Sequence, residues 1–134
     1  MIHEEVRVIT TSVKDDHLRV LWGEIGRFID TAAHPLSVMR GGPWIINHRE
    51  IRKIVKGEMC KISYLKGMVS LKGEGMAGHH ATNTLFIGDE ASGIDDLAYT
   101  QADTWAKRKL LFGNPNPCNN FFYQGVEGGD VLAI

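Results

Sequence analysis

A chain of 134 residues, 43% apolar and 23% charged, has the length and composition of one folded domain with a hydrophobic core. Fifteen Lys and Arg against sixteen Asp and Glu leave a formal charge of −1, which argues against a dedicated nucleic-acid coat and leaves room for a local basic patch only. No apolar run approaches the roughly 18 residues of a membrane span, MIHEEVRV lacks signal-peptide character, and Cys60 and Cys118 lack the paired spacing of a zinc or redox motif.

VRVIT (6–10) is β-prone, with Val6, Val8 and Ile9 available for burial. TSVKDD then leads into HLRVLWGEIGRFI, where Leu18, Leu21, Trp22, Ile25, Phe28 and Ile29 recur at helical spacing. Ser12 followed by Asp15 resembles a capping pair for that helix. RGGP (40–43) reads as a turn. WIINHREIRKIV and CKISYLKGMVSL read as short strands broken at Lys56-Gly57-Glu58 and Lys66-Gly67, the first equally compatible with a short helix. GEGMAGHH (73–80) is a glycine-rich loop.

ATNTLFIG (81–88) follows as a buried strand, apolar on both faces at Leu85, Phe86 and Ile87 in the manner of a central parallel strand. Ser92 is placed to cap a helix from about Ile94 to Trp105, with Asp95-Asp96 as a negative first turn. KRKLLFGNP (107–115) predicts a strand ending in a Gly-Asn-Pro turn, and CNNFFYQGVEGG starts a last helix. Strands alternating with helices predict an α/β fold, a mostly parallel sheet flanked by helices, spanning 1–134 as one unit.

Ligands of such sheets gather at the carboxyl ends of the strands. Two consecutive strands carry polar groups there: Asp89-Glu90 on one, and Asn114 in the Gly113-Asn114-Pro115 turn on the other. An apolar strand ending in Asp-Glu is the pattern of a second nucleotide motif (Walker B). Its Asp reaches magnesium, usually through water, and its Glu polarises the water that attacks the γ-phosphate. The bland readings differ. Asp89-Glu90 would be a soluble strand end, adjacent His79 and His80 point apart and make a poor metal pair, and Lys107, Arg108 and Lys109 form a solvated strand entry. Trp22, Trp44 and Trp105 read as core or partner contacts, and Cys118 as an inert thiol.

The longer stretch LFIGDEASGIDDLAYTQADTWAKRKLLFGNPNPCNNFF resembles the ATPase domain of phage large terminase subunits, the motors that package viral DNA. Asp89 to Ser92, Trp105 to Arg108 and Gly113 to Pro115 stand in that family's order, and VITTSVKDDHLRVLWGEI is similar to the strand and helix that follow its phosphate loop. Gly78-His79-His80 fits the segment that precedes the family's second nucleotide strand.

The resemblance implies a partial P-loop NTPase core of the additional-strand, catalytic-glutamate type. Asp89 would be the magnesium and cofactor ligand, Glu90 the catalytic base, and Asn114 the coupling residue that senses the γ-phosphate. It also implies ATP and Mg2+ as cofactors, double-stranded DNA with portal and small-terminase proteins as partners, and the bacterial cytoplasm as location.

The departure is the phosphate loop: no G-x-x-x-x-G-K-[ST] is present, and TTSVKDD has a lysine but no glycines. The chain therefore reads as an internal fragment without Walker A or nuclease domain, inactive as an ATPase by itself. The alternatives are a helicase-like ATPase fragment and a non-catalytic binding or assembly module that retains the fold. In this reading the strands ending at Asp89 and near Gly113 flank a missing strand. Either they close up, or another segment or a second copy fills the slot, and a homo-oligomer is expected.

Overall fold

The computed structural model describes residues 5–69, 75–114 and 120–128. Among these residues six strands, β1 (Val6–Ser12), β2 (Trp44–Asn47), β3 (Glu50–Val55), β4 (Glu58–Val69), β5 (Asn83–Asp89) and β6 (Arg108–Leu111), join in one sheet of order β2-β3-β4-β1-β5-β6. The α-helices among the described residues are α1 (Asp15–Thr31), α2 (Asp96–Asp103) and α3 (Phe121–Gly128), which make the fold α/β. None of the helices among the described residues is long and apolar enough to cross a membrane.

The expectation of a mostly parallel sheet holds for one half only. β1 pairs in parallel with β4 and β5, and β5 with β6, but β2, β3 and β4 form an antiparallel meander. The cause is local. Lys56 and Gly57, at φ 53° and 83°, form a two-residue turn that reverses the chain so that Val55 faces Glu58. His48, at φ 41°, helps to split WIINHREIRKIV into the two strands of a second hairpin, not the single strand or helix expected. β4 runs unbroken through Lys66-Gly67, because Gly67 is where the sheet receives Trp22. A Cβ there would sit 2.2 Å from the indole Nε1.

β1 feeds both faces of the sheet. Ile9 packs with Phe86, Met76, Tyr99 and Trp105 under α2 and α3, while Thr10 faces α1, where Trp22 Nε1 donates to its Oγ1 at 3.0 Å. Leu18, Trp22 and Ile51 are the buried centre of the α1 side. Because α1 packs over β1 and β4, it leaves β5 partly bare. Phe86 is fully buried, whereas Leu85 and Ile87 are only half-buried, so β5 is not apolar-covered on both faces as its sequence suggests. β5 and β6 also pair directly, Ile87 beside Leu110, so no gap separates them.

The expected caps shift by a few residues. Ser12 stays in the β1 ladder, opposite Val69 and Asp89, and Lys14 precedes α1 without a side-chain cap. Asp95, not Ser92, caps α2 by accepting from Leu97 N–H at 2.8 Å, and Ala91–Gly93 forms a 3-10 turn before it.

Thr11 is fully buried and its hydroxyl has no hydrogen-bond partner among the described residues. A buried unsatisfied hydroxyl is destabilising by about 1–3 kcal/mol, and Val is the shape-matched, β-favouring replacement. Thr11→Val is therefore expected to raise unfolding stability by about 1 kcal/mol. Urea unfolding of the two chains checks it, and a loss of stability would show that the hydroxyl is satisfied.

Candidate functional site

The carboxyl ends of β1, β5 and β6 lie together because the three strands are parallel and adjacent. Ser12 pairs with Asp89 in register, and Gly88 with Leu111, so Asp89, Glu90 and Asn114 occupy the same end of the sheet. His79, by contrast, is hydrogen-bonded to Tyr64, which pairs with Arg7 near the start of β1, so it lies toward the opposite end.

The Asp89–Glu90 turn is held by the backbone. Phe112 N–H donates to Gly88 O at 2.8 Å, and Ala91 N–H donates back to Phe112 O at 2.7 Å, which ties the exit of β5 to the exit of β6. Tyr99 Oη–H donates to Ala91 O at 2.6 Å, and Ala91 itself is fully buried. Gly113 fits into this turn so closely that a Cβ would lie 2.9 Å from Ala91 N and 3.5 Å from Glu90 C. No larger residue enters without displacing the turn. Asn114 follows at once and is exposed, and Pro115 lies outside the described residues.

Glu90 adopts a left-handed conformation, φ 53° and ψ 48°, uncommon for a residue with a side chain. Its own amide donates to Asp89 Oδ1 at 3.1 Å, leaving the second Asp89 oxygen without that bond. The Glu90 carboxylate reaches the first turn of α1, where Oε2 lies 2.5 Å from His17 Nδ1, an ion pair when the imidazole is protonated. Sequence reasoning missed His17: it stands 73 positions before Glu90, and only the pairing of β1 with β5 brings the two together. A strand–turn–helix connection at the same end, from β1 into α1, is a poor host for phosphate. Its first turn carries Asp15 and Asp16, whose charge opposes an anion at a helix N-terminus. Arg49 donates to Asp15 at 2.6 Å and lowers the pKa of that carboxyl.

The remaining candidates take structural roles. Lys107 Nζ donates to Thr82 O at 2.6 Å and Lys109 pairs with Asp103, and all three residues of the triplet, Arg108 included, are exposed. Trp22 and Trp105 are core residues and Trp44 packs against the α1-side cluster. Cys118 lies outside the described residues, and Cys60 is a free thiol on β4. Among the described residues no three His, Cys, Asp or Glu side chains converge on a point that would hold a metal by themselves.

Comparison with protein-family models, curated proteins and solved structures returns no match.

The His17 and Glu90 side chains are 39% and 52% exposed, so water screens their attraction. A double-mutant cycle with His17→Ala and Glu90→Ala is expected to give a coupling of about 0.2–1 kcal/mol in unfolding free energy, smaller in concentrated salt. A coupling well above that range would mean that the pair is shielded from solvent.

Proposed function

We propose that this chain is the part of a terminase-like, ATP-driven DNA-packaging motor that carries the Walker B strand and the coupling turn, and that the phosphate-binding loop lies outside it. The observation that carries this reading is the close seating of Gly113, the residue before Asn114, on the Glu90–Ala91 backbone, at the carboxyl ends of two adjacent parallel strands. A base and a γ-phosphate sensor need that proximity if hydrolysis at one is to be felt at the other.

Magnesium suits the residues present. Asp89 is half-buried with one oxygen on the Glu90 amide and the other available, and magnesium is commonly held by one or two carboxylates with waters and substrate phosphates completing the shell. In this reading Asp89 orients the hydrated ion, Glu90 accepts the proton of the attacking water, and Asn114 reports on the phosphate. Because β5 and β6 already pair, a phosphate-loop strand can add only at an open sheet edge, and the β6 edge is the one beside Asn114. Half-buried Leu85 and Ile87, with Leu110 and Phe112 at 44% and 52% exposure, form the apolar surface that an added strand and helix would cover. A second copy at the same edge is the oligomeric form of this proposal, and double-stranded DNA with portal and small-terminase proteins are the partners that belong to the motor.

A non-catalytic assembly module is the second reading. It is favoured by one observation, the acidic first turn of α1 where a strand–turn–helix would otherwise receive phosphate.

The isolated chain is expected to show background ATP turnover only, since phosphate positioning supplies most of the catalysis in phosphoryl transfer. Paramagnetic Mn2+, used as the probe in NMR, is expected to broaden the amides of Asp89–Ala91 and Asn114 before those of Asp15–Asp16 or Asp95–Asp96. Asp89→Asn should remove that preference. Broadening that begins at the helix-start aspartates, or that survives Asp89→Asn, favours the assembly module. Magnesium-dependent turnover that is lost in Glu90→Gln would show that the chain holds the phosphates itself.

A further inference from the structure

The segment between β4 and β5 is fastened by a histidine to which the proposed ATPase reading gives no role. Its described part, Gly75 to Thr82, lies on the α2 side of the sheet. There Met76 is fully buried in the core beside Phe86, and Trp105 Nε1 donates to its carbonyl. Both nitrogens of His79 are engaged: Nε2 lies 2.8 Å from Gly75 O, and Nδ1 lies 2.7 Å from Tyr64 Oη. A carbonyl only accepts, so Nε2 carries the proton and Nδ1 accepts from the Tyr64 hydroxyl. The neutral imidazole thus satisfies both partners. The ring also stands edge-on to Trp105, centroids 5.3 Å apart at 72°, and to Tyr64, 6.0 Å apart at 76°.

We propose that His79 is a proton-sensitive clasp, which holds the Gly75–Thr82 segment across the sheet when neutral and releases it when protonated. A second proton on Nδ1 would meet the hydroxyl that already donates there. The hydroxyl can rotate to accept, but the resulting cation has no compensating partner among the described residues. Among the described residues, Arg7 of β1, Lys66 of β4 and neighbouring His80 are the charged or chargeable groups that act on it, all of the same sign. Arg7 and Arg52 place guanidinium carbons 5.4 Å and 4.9 Å from the Tyr64 ring centroid, adding positive charge behind the hydroxyl. Glu50, the carboxylate on the neighbouring strand, is already paired with Arg52. Asp103, at the end of the helix leading to Trp105, is paired with Lys109.

Burial, with the nearby cations, lowers the His79 pKa from its ordinary 6.5. The sign follows. With its pKa lowered in the closed state, the segment binds more protons when open, so closure is complete above about pH 6.5 and weakens as pH falls below it. Release would free Met76 from the core and loosen the lead into β5, the strand that ends at Asp89.

Amide hydrogen exchange of the purified chain, followed by NMR from about pH 7.5 to pH 5, tests the clasp. Protection factors at Met76–His79 are expected to fall by up to about tenfold per pH unit below the ordinary histidine pKa, one proton being taken up per opening. Amides of the β2–β3 hairpin should not follow that slope. His79→Gln keeps a donor and an acceptor but does not titrate, and should abolish the slope while leaving the segment closed at neutral pH. If that variant does not fold, imidazole 15N shifts of the unmodified chain decide: an Nε2–H tautomer at neutral pH and a titration midpoint below 6.5 are expected. A flat protection profile, a slope retained in His79→Gln, or a midpoint at or above 6.5 would overturn the proposal.

Discussion

The fold depends on β1 being paired on both sides. A strand with parallel neighbours at both edges has no free edge, so its side chains must find partners above and below the sheet. Ile9 meets this on one face, in the cluster under α2. On the other face the hydroxyl of Thr10 meets it, through the indole of Trp22. That single buried hydrogen bond, with the clearance left by Gly67, sets how closely α1 approaches the sheet. The approach of α1 then brings His17 to Glu90, so the candidate site inherits its geometry from packing at Trp22, further along the same helix.

Much of this was legible in the sequence where the signal was local. Leu18, Trp22, Ile25 and Ile29 recur at helical spacing and do form one face of α1, and the Lys56-Gly57 turn reverses the chain as a glycine-bearing two-residue turn does. The parallel half of the sheet was also readable, because apolar runs ended in polar residues. The antiparallel half was misread for a physical reason. Gly67 looks like a strand breaker when propensity alone is considered, yet it is a strand residue selected by the indole that rests on it. Burial of Leu85 and Ile87 was overestimated, since the sequence of a strand does not say how far the covering helix extends across the sheet.

At the candidate site the two motifs were legible and their support was not. Asp89-Glu90 and Gly113-Asn114 announce themselves by residue type, and the parallel pairing of β5 and β6 brings them to one end. His17 has no sequence signal, being a lone histidine in a polar helical turn. Tyr99, whose hydroxyl holds the Ala91 carbonyl, reads only as an aromatic in a helix. His79, beside His80, reads from sequence only as half of a poor metal pair. Its observed partners are a tyrosine and a carbonyl, a pairing that depends on a neighbour in β4 and on a turn in its own segment.

The position of β1 at the centre of the sheet also bears on how the chain assembles. Val6 and the Ser63 hydroxyl to which it donates are 57 residues apart, and the β5 ladder reaches further still. The β3–β4 hairpin, closed by two turn residues, needs no such wait. During synthesis β1 and α1 emerge before β4 and β5, the strands that pair with β1 on either side. Contacts between distant residues form slowly, and unpaired apolar strands are exposed to aggregation in the meantime. The meander is then a surface against which β1 docks, so a strand made before its partners completes the sheet late.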